Sequence, residues 1–148
     1  LNSRKSIRHK LGIPEDATVV GMLARVDPMK DYETYVTAVR VLCSQYKNLY
    51  FIAAGAGTDT ALWADVPPQF LKLGIWKDVS GLLNVLDIMV LCSAFGEGFS
   101  NSLESGQNIF PFIIEVSGVM EDGLNGSYFW DKDNTKKWII QILLKIFI

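Results

Sequence analysis

The chain has 148 residues, 49% of them hydrophobic and 20% charged, which suits one folded domain with a real core and argues against disorder. Lys and Arg total 14 and Asp and Glu total 16, so the net charge is -2. That balance excludes a basic nucleic-acid footprint or a basic membrane patch and leaves only local anion binding by a few placed donors.

In chain order, residues 3–11 (SRKSIRHKL) predict a short basic helix ending at Gly12, with Pro14 just beyond. His9, the one histidine, belongs to this helix and reads as a surface residue. Residues 18–26 (TVVGMLARV) are apolar and β-branched and predict a buried strand. Residues 31–46 place Tyr35, Val36, Val39 and Leu42 at helical period. Residues 49–54 predict a second strand, stopped by Gly55-Ala56-Gly57, and a weak helix is expected over 59–64. A third strand is expected at 70–73, a helix at 79–86 and a fourth strand at 88–91. Beyond these the pattern predicts a helix from Gly98 to about Gln107, strands at 110–114 and 127–130, and a last helix over 134–147.

Short apolar strands alternating with amphipathic helices imply an α/β fold, a doubly wound parallel sheet of Rossmann-like type. The whole of 1–148 reads as a single domain. Cys43 and Cys92 lie far apart without metal-ligand spacing and read as reduced thiols of a cytoplasmic protein. The N-terminus is polar and basic, unlike a signal peptide, and the chain opens on Leu1, which implies coding sequence before it. The apolar run 138–148 has eleven residues, short of the ~20 a bilayer span needs, and reads as a cut-off packing helix.

Ligands of doubly wound folds sit at the carboxyl ends of the strands. After the first strand stand Arg25 and Lys30, in ARVDPMKD, where Pro28 sets a turn and Asp31 can cap the next helix. A planar fork and a point charge suit a diphosphate, although a solvated loop pair accounts for them too. After the second strand, Gly55-Ala56-Gly57-Thr58 fits a plain strand-to-helix turn as well as a ligand approach, and no Walker or dinucleotide fingerprint follows. After the third strand, the loop 74–79 can border a base, while the Asp78 side chain is more simply a helix cap. After the fourth strand, SAFGEGFSNSLE (93–104) turns at Gly96 and Gly98 into a helix whose first amides attract phosphate, with Glu97 and Glu104 as acceptors for sugar hydroxyls.

Four of these segments, GMLARVDPMKD (21–31), Asp78-Val79 with Leu82-Leu83 and Leu86-Asp87, EGFSN (97–101) and DGLNG (122–126), stand in the order found in retaining GT-B glycosyltransferases of the group 1 type. The chain resembles their donor-binding half over nearly its full length. The resemblance implies that Arg25 and Lys30 neutralise a departing nucleoside diphosphate and that Glu97 orients the donor sugar. It places the amides of Gly98, Phe99 and Ser100 near the phosphates, Glu104 on the ribose, and Gly74 to Asp78 along the base. No metal or other cofactor is implied, because the cations supply the electrostatic work. The expected partners are a nucleotide sugar, a hydroxyl acceptor such as a glycan or lipid, and an N-terminal acceptor domain absent from this chain. The complete enzyme is expected in the cytoplasm or at the membrane surface, and this chain alone is expected not to catalyse transfer.

The chain departs from the family in the Glu97–Glu104 spacing, in Ser105-Gly106-Gln107-Asn108 where a small-residue stretch is usual, in a short segment from Glu115 to Met120, and in a short helix before Phe70. Six residues separate Glu97 from Glu104, one fewer than usual, which on a helix turns the second carboxylate by roughly 100°. Two other readings compete with the enzyme half. One is a non-catalytic α/β interaction domain; the other is a sugar-nucleotide epimerase, for which acid–base residues are few.

Overall fold

The computed structural model describes residues 2–92 and 112–116. Five parallel strands, β1 (Thr18–Leu23), β2 (Leu49–Ala54), β3 (Phe70–Gly74), β4 (Ile88–Cys92) and β5 (Phe112–Val116), form one sheet in the order β3-β2-β1-β4-β5. The order reverses direction at β1, whose neighbours are β2 on one side and β4 on the other. Helices α1 (Asn2–Leu11), α2 (Tyr32–Gln45) and α3 (Val79–Val85) are the described α-helices. This is the doubly wound Rossmann-like sheet that the sequence pattern implies.

Alternation along the strands builds two cores. Val20 and Met22 of β1 join Phe51 and Ala53 of β2 under Tyr35, Val36, Val39 and Leu42 of α2. Val19 and Leu23 join Ile52 and Ala54 under Leu82, Leu83 and Leu86 on the opposite face. Burial on both faces explains why β1 and β2 read as unbroken apolar runs. Tyr35 is fully buried, and its hydroxyl donates to the Ile52 carbonyl at 2.7 Å. A buried aromatic is tolerated there because its polar tip finds an acceptor.

The ends of the elements follow local chemistry. α1 stops at Gly12, which adopts φ +74°, the left-handed value common after a helix. Asp31 caps α2, accepting from the Thr34 amide and from the Thr34 hydroxyl at 2.6 Å. Asp78 caps α3 by accepting from the Gly81 amide at 3.0 Å.

Three expectations shift. β1 ends at Leu23, three residues before the predicted end, although Ala24 and Val26 still donate to Ala54 and Ala56 at 2.9 and 2.8 Å. No helix forms over 59–64: a turn closed by Ala61 N–H to Gly57 C=O runs directly into extended chain. The segment is too short to nucleate a helix, and Trp63 is drawn onto Tyr32 and Phe70. β5 is described over Phe112–Val116 and runs two residues past its predicted end at 114. The predicted helices at 98–107 and 134–147, the strand at 127–130 and the turn at 122–126 lie outside the described residues.

α1 is anchored by a residue that composition hides. Arg8 is buried, and its guanidinium donates to the carbonyls of Ala17 at 2.8 Å and Val85 at 2.9 Å and pairs with Asp87 at 3.0 Å. Burial and the neighbouring Arg4 press the Arg8 pKa down, and Asp87 pulls it back up. The same Asp87 carboxylate accepts from the Val19 amide at 2.9 Å and from Arg4 at 2.7 Å. α1, β1 and the entry to β4 are thereby tied at the amino end of the sheet, away from the rim where ligands bind.

Cys43 is a free, buried thiol in the α2 core. Burial pushes its pKa from 9.0 up to about 12, with Lys47 opposing weakly. In the unfolded chain the thiol ionises above its ordinary value, while the folded chain keeps its proton until about pH 12. Folding stability should therefore fall as pH rises through that window, with a slope of up to about 1.4 kcal/mol per pH unit. Urea titrations between pH 8.5 and 10.5 should show this slope in the wild type and lose its Cys43 share in Cys43→Ala. Equal slopes would show that burial does not hold the proton.

Candidate functional site

A cleft of about 250 Å³ opens at the carboxyl ends of β1, β2 and β3. Leu23, Ala24 and Arg25 supply one wall, and Ala54, Gly55 and Ala56 supply the floor beside it. Ile75, Trp76, Val79 and Leu82 close the other side. Ligand crevices of doubly wound sheets lie outside the carboxyl ends of the strands, as this cleft does.

The backbone around the cleft is held tightly. Gly55 has φ +139°, and a Cβ there would stand 2.3 Å from the Ala24 carbonyl oxygen. Its amide donates to the Gly74 carbonyl at 2.8 Å. The Gly74 amide donates in turn to the buried Thr58 hydroxyl at 2.8 Å, and that hydroxyl donates to the Gly55 carbonyl at 2.8 Å. The glycines of the 55–58 segment thus serve strand-to-strand approach. Tyr32 adds a brace, donating to the Ala24 carbonyl at 2.6 Å.

Arg25 is the cation that lines the cleft. Its side chain is 65% exposed, and its Nε pairs with the Asp27 carboxylate at 2.7 Å. Asp27 also accepts from the Met29 amide at 2.8 Å and so caps the 3-10 turn Pro28–Lys30. Lys30 ends that turn, half-buried, and is not among the cleft-lining residues. Gly74 and Asp78 do not line the cleft either. The main-chain groups of Gly74 are bonded to Gly55 and Thr58, and the Asp78 side chain is the α3 cap. Glu97, Gly98, Phe99, Ser100 and Glu104 lie outside the described residues.

Sequence reading placed Trp76 in the loop expected to border a base, without a role for its side chain. Its ring lies half-buried against the cleft with the Lys10 ammonium 5.5 Å from the centroid, and its indole N–H is enclosed without an acceptor among the described residues. Ile75 is 76% exposed beside it, giving the rim an apolar face. The pairing of Arg25 with Asp27 also escaped the sequence, because an i, i+2 contact in a loop has no periodic signature.

The chain aligns over 99% of its length with a glycosyltransferase from Rickettsia africae ESF-5, at TM-score 0.80 and 17% identity. It aligns over 97% with Anabaena HepE in complex with UDP-glucose, at TM-score 0.74 and 18% identity. It aligns over 97% with the C-terminal domain of the group 1 glycosyl transferase LpcC from Francisella tularensis, at TM-score 0.74 and 17% identity, covering 82% of that domain. The chain has the fold of the C-terminal half of a GT-B glycosyltransferase. It spans 41% of the Rickettsia protein and 42% of HepE, so this GT-B half corresponds to one lobe of such molecules. No protein-family profile and no curated protein sequence matches the chain. Among the described residues no helix is long and apolar enough to cross a membrane.

Proposed function

We propose that this GT-B half binds the nucleoside diphosphate of a nucleotide-sugar donor in the cleft at the carboxyl ends of β1 to β3. One observation carries the reading: Arg25, the cation expected to meet the diphosphate, lines a crevice at the carboxyl ends of β1 and β2. The UDP-glucose held by HepE, which shares this fold, supports the class of ligand. In the complete enzyme the bond from the anomeric carbon to the diphosphate oxygen breaks, the acceptor oxygen bonds to that carbon with retention of configuration, and the hydroxyl proton leaves with the diphosphate. Negative charge grows on the leaving diphosphate, and Arg25 and Lys30 stabilise it most at that point without a metal. Glu97 orients the sugar, the amides of Gly98, Phe99 and Ser100 meet the phosphates, and Glu104 meets the ribose. The loop from Gly74 to Asp78 borders the base through Ile75 and Trp76, its cleft-lining residues. The acceptor hydroxyl comes from a second lobe, so this chain alone binds donor and transfers nothing.

Titration calorimetry of the full chain with UDP, GDP and ADP tests this reading. At least one should bind, and the double variant Arg25→Ala, Lys30→Ala should weaken it by at least about tenfold, the scale of a lost charge-assisted hydrogen bond. A folded chain that gives no heat with any of them refutes it. The apolar rim of Ile75 and Val79, 76% and 45% exposed, favours a second reading, a non-catalytic interaction domain. Under that reading no nucleotide shifts the melting temperature and the chain self-associates with rising concentration.

A further inference from the structure

We propose that Asp27 is a positioning residue that aims Arg25 at the bound diphosphate; the proposal rests on the donor-site reading above. Arg25 is 65% exposed, and an arginine so placed samples many rotamers unless something holds it. Asp27 is the anchored partner, with its side chain 23% exposed. Its carboxylate spans two tasks: Oδ1 accepts from the Met29 amide at 2.8 Å, and Oδ2 lies 2.7 Å from Arg25 Nε as an ion pair. The grip is on the Nε edge of the guanidinium. Its two terminal amino groups have no protein partner among the described residues, and Arg25 lines the cleft. A fork held by its stem and open at its tines is prepared for bidentate phosphate. The backbone turn that sets Asp27 is fixed in turn by Pro28 in its first position.

The substitution Asp27→Asn separates the two tasks. Asparagine caps a turn as well as aspartate does, so the Pro28–Lys30 turn stays, while the charge that grips Arg25 is lost. UDP should bind Asp27→Asn about threefold to tenfold more weakly, the cost of ordering one long side chain on binding. Uridine, which has no phosphate, should bind both proteins alike. In an Arg25→Ala background Asp27→Asn should cost nothing further, and Asp27→Glu should restore part of the loss. A second measurement needs no nucleotide: nitrogen-15 relaxation at Arg25 Nε should report an ordered side chain in the wild type and a mobile one in Asp27→Asn. Tighter UDP binding by Asp27→Asn, an equal loss in the Arg25→Ala background, or equal side-chain order in both proteins overturns the proposal. If the wild type binds no UDP the donor-site reading fails, and the relaxation measurement still decides whether Asp27 holds Arg25.

Discussion

Replacing Arg8 by methionine should destabilise the chain by about 3 kcal/mol, the cost typical of breaking a buried pair by removing one partner. Methionine fills much of the same volume, so the loss is polar. The carbonyls of Ala17 and Val85 lose a charged donor where water has little access, and Asp87 loses one of its two arginines. Asp87 is 32% exposed, so water recovers part of its share and keeps the estimate at the lower end of that class. Arg4→Ala is the comparison. Arg4 pairs with the same carboxylate at 2.7 Å but is 36% exposed, and its loss should cost under about 1 kcal/mol. Urea unfolding of the two variants separates burial from pairing. Equal costs for both would mean that Arg8 is no keystone and that α1 rests on its apolar contacts alone. Nucleotide binding by folded Arg8→Met should be unchanged, since the network lies at the amino end of the sheet.

Gly55→Ala should cost on the order of 2–4 kcal/mol, because it meets both a forbidden backbone angle and a backbone clash. At φ +139° an alanine is strained wherever it sits. Its Cβ would also stand 2.3 Å from the Ala24 carbonyl oxygen and 2.9 Å from the Arg25 amide nitrogen. Relief requires separating β1 from β2 at the bond from Ala24 N–H to Ala54 C=O, 2.9 Å long, which is where Arg25 leaves the sheet. Gly55→Ala should therefore weaken nucleotide binding as well as folding. Gly12→Ala isolates the angle: φ is +74° and nothing lies within 4 Å of the added carbon, so about 1 kcal/mol is expected and no change in binding. If the two variants melt together, the close approach at Gly55 has no energetic weight.

The two predictions also mark where the sequence was informative. β2 is the clearest case: Leu49 to Ala54 is bounded by Asn48 and by Gly55, and its limits in the structure are those of its apolar run. α2 shows its period because one face meets the sheet, and its cap, Asp31, precedes the first turn at the expected place. The 59–64 segment misled for the opposite reason. Its residues tolerate a helix, but Trp63 gains more by packing on Tyr32 and Phe70 than one turn of hydrogen bonds returns. Arg8 misled because a charged residue on a basic helix reads as solvated, and its acceptors at Ala17 and at Val85 and Asp87 come from two distant stretches of chain.

The sequence by itself determined the alternation of strand and helix, the caps and the position of Arg25 after the first strand. Those features depend on periodicity and on neighbours a few residues away, which a linear chain displays. Only the tertiary structure decided that Arg25 lines a cleft with Trp76, that Asp27 holds it by one edge, that the 55–58 glycines serve strand contact, and that Arg8 is interior. Each of those depends on which distant segments the sheet order brings together, and on how much water remains when it has done so.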